Sequence, residues 1–226
     1  MNLKTVVSDI GIGIASLLFP NICLICEERI SSSVLVCDGC WGKLKPNSEE
    51  VIRSKNIPEN LDSVYPVFEF TDEIQTIIHN MKYAGRRSLA RELGRRVAWH
   101  IPAGFINSDA VLVPIPLFPV KRRERGYNQA ELIAQGIAEF VDIPINTKLI
   151  KRVKNTVTQT HLDAQQRHEN MQNAFAIADA SMLNSIRSIV LVDDVFTTGA
   201  TMNAAATVLK AADVENIKAL TVAAPI

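Results

Sequence analysis

Apolar positions along the chain switch between two periods. Leu3, Val6, Val7, Ile10, Ile14, Leu17 and Leu18 recur three and four apart, which predicts a helix over residues 3–18, ended by Phe19-Pro20. Residues 64–70 alternate and predict a strand. Ile74, Ile77, Ile78 and Met81 return to the helical period, with Thr71 as cap, acids in the first turn and a closing Lys82-Tyr83-Ala84-Gly85. Leu89, Leu93 and Val97 predict a second helix over 88–99, with Arg91, Arg95 and Arg96 on its solvated side. Ala110 to Val113 is a continuous apolar run, as in a strand buried on both faces. Asn128, with Glu131 three residues on, predicts a capping box for a helix carrying Leu132, Ile133, Ile137, Phe140 and Val141. Ile189 to Val192 is a second buried strand, followed by a helix on Ala204, Ala205, Val208, Leu209 and Ala212. Phe175 to Ile177 and residues 217–223 are further strands, the latter beside Ile189–Val192. Strands alternating with helices predict an α/β fold with a mostly parallel sheet flanked by helices. Residues 45–60 are polar, contain Pro46 and Pro58, and read as a linker.

Composition narrows the partners. The chain has 226 residues, 47% hydrophobic, enough for one medium domain plus a small one. Its formal net charge is zero, so no global field draws it to nucleic acid or membrane, and any anion site must be local. Ser8 and Asp9 interrupt the apolar start, which lacks a basic n-region and a small-residue cleavage site. The expected location is therefore cytoplasmic. Gly11-Ile12-Gly13 follows no strand and lacks the third glycine of a dinucleotide fingerprint.

In the cytoplasm four cysteines are reduced or metal-bound. Cys23-x-x-Cys26 and Cys37-x-x-Cys40 form two knuckles, and together they offer four thiolates with no open position. That donor set fits a structural Zn²⁺. Unligated thiols are the alternative, disfavoured because free thiols rarely come as paired C-x-x-C motifs.

The densest chemistry lies after Val192. Asp193 and Asp194 close the strand; Val195, Phe196, Thr197, Thr198, Gly199, Ala200 and Thr201 lead into the helix. Small residues and hydroxyls at a helix start suit a phosphate, which unpaired N–H groups and the helix dipole hold. Carboxylates at the carboxyl end of a strand accept hydrogen bonds from vicinal sugar hydroxyls. The segment fits a ribose 5-phosphate. An ordinary turn with a solvated acid pair, or an acid pair holding Mg²⁺, is the alternative.

Two further stretches carry cations. A basic loop, Lys121, Arg122, Arg123 and Arg125 before Gly126-Tyr127, precedes a helix start and suits a pyrophosphate. Residues 148–175 are polar without clean periodicity, as in a loop that closes over a site. Arg152, Lys154, Gln159 and Arg167 are its candidate substrate contacts; an exposed hairpin or helix is the alternative.

The string from Val190 to Thr201 resembles the phosphoribosyl pyrophosphate (PRPP) signature of type I phosphoribosyltransferases. The resemblance implies that Asp193 and Asp194 meet the ribose hydroxyls and that Thr197 to Thr201 wrap the 5-phosphate. Val113-Pro114-Ile115-Pro116, Lys121 to Leu132, the four cysteines, Cys40-Trp41 and Lys82-Tyr83-x-Gly85 extend it. In that order, over essentially the whole chain, they resemble the ComF family, competence-associated proteins joining a zinc module to a phosphoribosyltransferase-like domain. The family pattern has arginine-leucine-arginine where this chain has Lys121-Arg122-Arg123, and histidine at Phe118. The resemblance implies an N-terminal helix (1–20), a Cys₄ zinc module with linker (21–60) and a type I phosphoribosyltransferase-like domain (61–226). It implies a transferase that binds PRPP with Mg²⁺, Lys121, Arg122 and Arg125 assisting at the pyrophosphate. The rival class is a non-catalytic factor for single-stranded DNA in competence, with a competence helicase as partner. Sparse aromatics, 6% of residues, weigh against that rival.

Overall fold

A computed structural model describes residues 21–30, 34–154, 173–183 and 186–225. The helix predicted over 3–18, Gln159 and Arg167 lie outside the described residues. The chain divides into two compact units, residues 1–44 and 45–226.

In the first unit, Ile22 and Arg29 form an antiparallel bridge around a turn, and α1 (Asp38–Trp41) follows. Cys23, Cys40 and Trp41 are buried.

The second unit is built on four parallel strands in the order β1 (Ser63–Glu69), β6 (Asn216–Ala224), β5 (Ser188–Val195), β2 (Ala110–Pro114). β5 and β6 are central and covered on both faces, which is why Ile189–Val192 reads as an unbroken apolar run and β6 is broken only by Lys218 and Thr221. Alternation sends Ile189 and Leu191 to one face and Val190 and Val192 to the other. The first face packs with Met202, Ala205, Ala206 and Leu209 of α7 (Ala200–Lys210). It also meets Phe175 and Ile150 of the antiparallel pair β3 (Ile150–Arg152) and β4 (Phe175–Ile177). The opposite face carries α4 (Arg87–Ala98) and α6 (Gln129–Ala138), with α3 (Asp72–Tyr83) against α4.

α4 and α6 approach closely because each presents a glycine. A Cβ on Gly94 would stand 2.2 Å from the Ile133 carbonyl oxygen, and one on Gly136 would stand 2.1 Å from that of Arg91. The arginines expected to be solvated instead hold this helix pair together. Arg91 and Arg95 both reach Glu139, Arg95 at 2.6 Å, while Arg95 and Arg96 hold Glu92, each at 3.0 Å.

The segment read as a linker is part of the sheet unit. It carries α2 (Glu49–Ser54), capped by Ser48, and it covers the β1 edge. Asn47 donates its N–H to the Val67 carbonyl at 2.8 Å, and its Nδ2 donates to Pro66 and Phe68 at 3.0 and 2.8 Å. Pro66, which has no N–H to give, sits on this edge strand. The β2 edge is covered likewise, where Leu112 donates to Pro144 and accepts from Asn146. Both edges are thus withheld from intermolecular pairing.

The stretch read as a basic loop is a helix, α5 (Pro119–Arg125). Pro119 stands at its first turn and Gly126, at φ 77°, ends it in the left-handed region. Proline at the start and glycine past the end are helix punctuation that the charge run obscured. Asn128 caps α6, accepting from the Ala130 N–H at 3.2 Å, but Glu131 completes no capping box. It instead binds Arg122 with both oxygens, at 2.8 and 3.1 Å. A two-point carboxylate–guanidinium pair outcompetes a single bond back to the cap.

Candidate functional site

β5 runs through both aspartates before it ends, so consecutive acids project to opposite faces at the carboxyl edge of the sheet. Asp194 lies on the α3 side. Its Oδ2 meets the Lys82 ammonium at 2.7 Å, and 7% of its side chain is exposed. Asp193 lies on the β3 side, half-buried, and its Oδ1 accepts the Asp194 N–H at 2.9 Å. Burial and the neighbouring Asp194 carboxylate raise the Asp193 pKa to about 7, against the pull of the Asp194 N–H, Lys82 and Arg152. Burial tends to lower the Lys82 pKa, but Asp194 outweighs it and the net shift is upward.

Lys82 and Arg152 lie in the field of this acid pair, and further cations gather beside them. Lys121 is lowered by burial and by the positive charges of Arg152 and Arg125; Arg152 is lowered by burial, with Asp193 opposing. Lys82, Lys121, Arg125 and Arg152 therefore converge from α3, α5 and β3. Arg125 is steadied by a hydrogen bond to Gln129 and lies 5.8 Å from the Tyr83 ring centre. Such mutual repulsion is relieved by a polyanion.

Beyond Val195 the chain turns over Phe196, whose side chain is buried in the core, so it offers the turn its backbone only. Thr197 and Thr198 are exposed. Gly199 adopts φ 75° as the N-cap of α7, and a Cβ there would lie 2.6 Å from Pro58 Cγ and 2.8 Å from Phe196 Cζ. Thr198 Oγ1 accepts from the Ala200 N–H at 3.4 Å. With Thr201 in the first turn, hydroxyls and helix-start amides stand directly after the acid pair.

Among the sequence-predicted cations, the structure brings Arg152 into the field of Asp193, and Lys121 and Arg125 into that of Lys82. Arg122 points away to Glu131. Lys82 is the residue that the chain pattern did not mark as part of the site. Its signal was the Lys82-Tyr83-x-Gly85 string, read as a helix end and as part of the family resemblance but not as a site residue.

In the first unit the sulfurs of Cys23, Cys26, Cys37 and Cys40 all lie within 4.8 Å of one another, Cys26 and Cys37 at 3.8 Å. A tetrahedral Zn²⁺ with bonds of about 2.3 Å has sulfur–sulfur edges of about 3.8 Å. The donor set fits a structural Zn²⁺. The Cys37 N–H donates to Cys23 Sγ at 3.4 Å. Burial would raise the Cys23 thiol, but this bond and the Cys26 and Ile25 N–H groups hold it at about 6.

Such a sheet, acid pair and threonine turn define a phosphoribosyltransferase domain. The Phosphoribosyl transferase domain family matches residues 124–226, and the Double zinc ribbon domain family matches residues 14–52. The chain is 30% identical to Competence protein F of Haemophilus influenzae, over 88% of each chain. It is 28% identical to DNA utilization protein YhgH of Salmonella typhimurium, over 80% of this chain and 81% of that one. It is 24% identical to Competence protein ComFC of Bacillus subtilis, over 82% and 87% respectively. The chain belongs to this competence protein F (ComF) family.

Proposed function

We propose that the sheet unit binds PRPP, or another ribose 5-phosphate group, and transfers the phosphoribosyl group to an acceptor. The observation that carries this reading is the contiguity of Asp193 and Asp194 with the Thr197–Thr201 turn, the acids facing Lys82 and Arg152, which Lys121 and Arg125 join. The turn holds the 5-phosphate and the acids accept the ribose hydroxyls. A nucleophile bonds to C1 as the C1–oxygen bond to pyrophosphate breaks, the electron pair leaving with pyrophosphate. Positive charge developing on the sugar is offset by the acid pair, and the cations stabilise the departing anion. Lys82 already neutralises part of the acid pair, so Mg²⁺ would be held mainly by substrate oxygens and would supply charge shielding for the pyrophosphate.

Binding calorimetry with PRPP and Mg²⁺ tests this reading. Wild type binds, and Asp193→Asn/Asp194→Asn does not. Equal affinity in the two proteins would remove the sugar contacts.

The relatives' names, competence protein and DNA utilization protein, favour a second reading, a DNA-handling role; single-stranded DNA and a competence helicase are the partners we propose within it. Steep salt dependence of single-strand binding supports it, whereas pyrophosphate release from PRPP supports the transferase. No described helix is long and apolar enough to cross a membrane.

A further inference from the structure

α5 divides its cations between two faces. Lys121 and Arg125, one helical turn apart, join Arg152 and Lys82 near the acids. Arg122 and Arg123 face the other way, into an open cleft of about 630 Å³. Lys148, Lys151 and Arg152 line the same cleft, and the partly exposed Pro116 and Leu117 supply apolar surface. Arg152 is the common post, since it lines the cleft and also lies in the field of Asp193.

The charge of this cleft is one-sided. Five cations line it, and among its described lining residues none is acidic. Glu131 compensates Arg122 from outside the lining, and Arg152 is shared with Asp193, which leaves Arg123, Lys148 and Lys151 to set the field. In a chain of zero net charge such a concentration is local by construction. The volume lies in the range of small-molecule sites. The lining also holds no aromatic ring on which successive bases would stack, as a site tracking a single strand commonly provides.

We propose that this cleft is the acceptor subsite, and that the acceptor is a small anionic ring compound. Its phosphate or carboxylate meets Arg123, Lys148 and Lys151, and its ring lies on the Pro116 and Leu117 surface. Arg152, shared with the donor site, sets the ring beside the sugar. The word acceptor rests on the phosphoribosyl reading above; the anion site itself does not.

The test is calorimetry on the full chain with a nucleoside 5′-monophosphate as probe and the uncharged nucleoside as control, each with and without saturating PRPP and Mg²⁺. The monophosphate binds alongside PRPP, and the nucleoside binds far more weakly. Lys148→Glu/Lys151→Glu, two exposed positions, weakens the monophosphate at least about tenfold, the equivalent of one charge-assisted hydrogen bond, and leaves PRPP affinity unchanged. Displacement of the probe by PRPP, or wild-type probe affinity in the double variant, would overturn the proposal. So would affinity that grows steadily along an oligothymidylate series, which would make the cleft a nucleic-acid track. Charge-dependent probe binding without any PRPP binding would sink the donor reading and leave the anion site standing.

Discussion

Lys82 places its ammonium 2.7 Å from the Asp194 carboxylate, and so ties the end of α3 to the end of β5. The pair joins residues far apart in the chain at the point where the sheet delivers its acids. It holds Asp194 in place and brings a cation into the site.

Lys82→Met leaves Asp194 buried without its partner. Removing one member of a buried pair costs about 3 kcal/mol, taken at the lower end because a quarter of the Lys82 side chain remains exposed. A thermal melt should show the loss, and adding Asp194→Asn should recover much of it. Identical melting of Lys82→Met and wild type would show that the pair does not hold the site.

Asp193 makes stability depend on pH. Below its ordinary value of 3.8 it is protonated folded or unfolded. As pH rises from there through about 7, the folded state binds the extra proton and must then give it up beside Asp194, so stability is lost. Asp193→Asn should therefore raise Tm at about pH 8 and leave it nearly unchanged at about pH 4. A gain of the same size at both values would mean that Asp193 ionises as freely folded as unfolded.

Gly199→Ala strains the threonine turn twice. The left-handed backbone costs about 1–2 kcal/mol for a residue with a Cβ. The new methyl also meets Pro58 and Phe196 under 3 Å. The expected result is a folded protein with weakened PRPP binding, read by calorimetry; unchanged binding would remove the turn from the phosphate site.

Gly94→Ala drives a methyl into the Ile133 backbone of the facing helix. Backbone cannot rotate away as a side chain does, so α4 and α6 must separate, at about 1–3 kcal/mol. Denaturant unfolding should show a lower midpoint. An unchanged midpoint would mean that the two helices do not approach this closely.

One Zn²⁺ per chain is expected in unoxidised protein, and Cys40→Ser should lower that value sharply. Elemental analysis after gel filtration decides it. Full zinc in the variant would show that Cys40 is not a ligand.

The site was partly legible because its chemistry is contiguous. Asp193 to Thr201 is one strand end, one turn and one helix start, so acids, hydroxyls and amides are neighbours in sequence as in space. The four cysteines are legible for the same reason. α5 was misread since its helix punctuation, Pro119 and Gly126, is outweighed in a linear reading by four cations. Lys82 was invisible because nothing local marks a helix-ending lysine as the partner of an acid on another strand.

The chain alone determined the α/β class, the strands around the acid pair, the four clustered cysteines and the threonine turn that follows the acids. Those depend on periodicity, on short spacing and on residue type, which are properties of neighbours. The fold alone decided that consecutive aspartates part to opposite faces, that Lys82 rather than Arg122 meets them, and that α5 separates two sets of cations. Those outcomes depend on which elements the strand order 1-6-5-2 sets side by side, and no local pattern encodes that order.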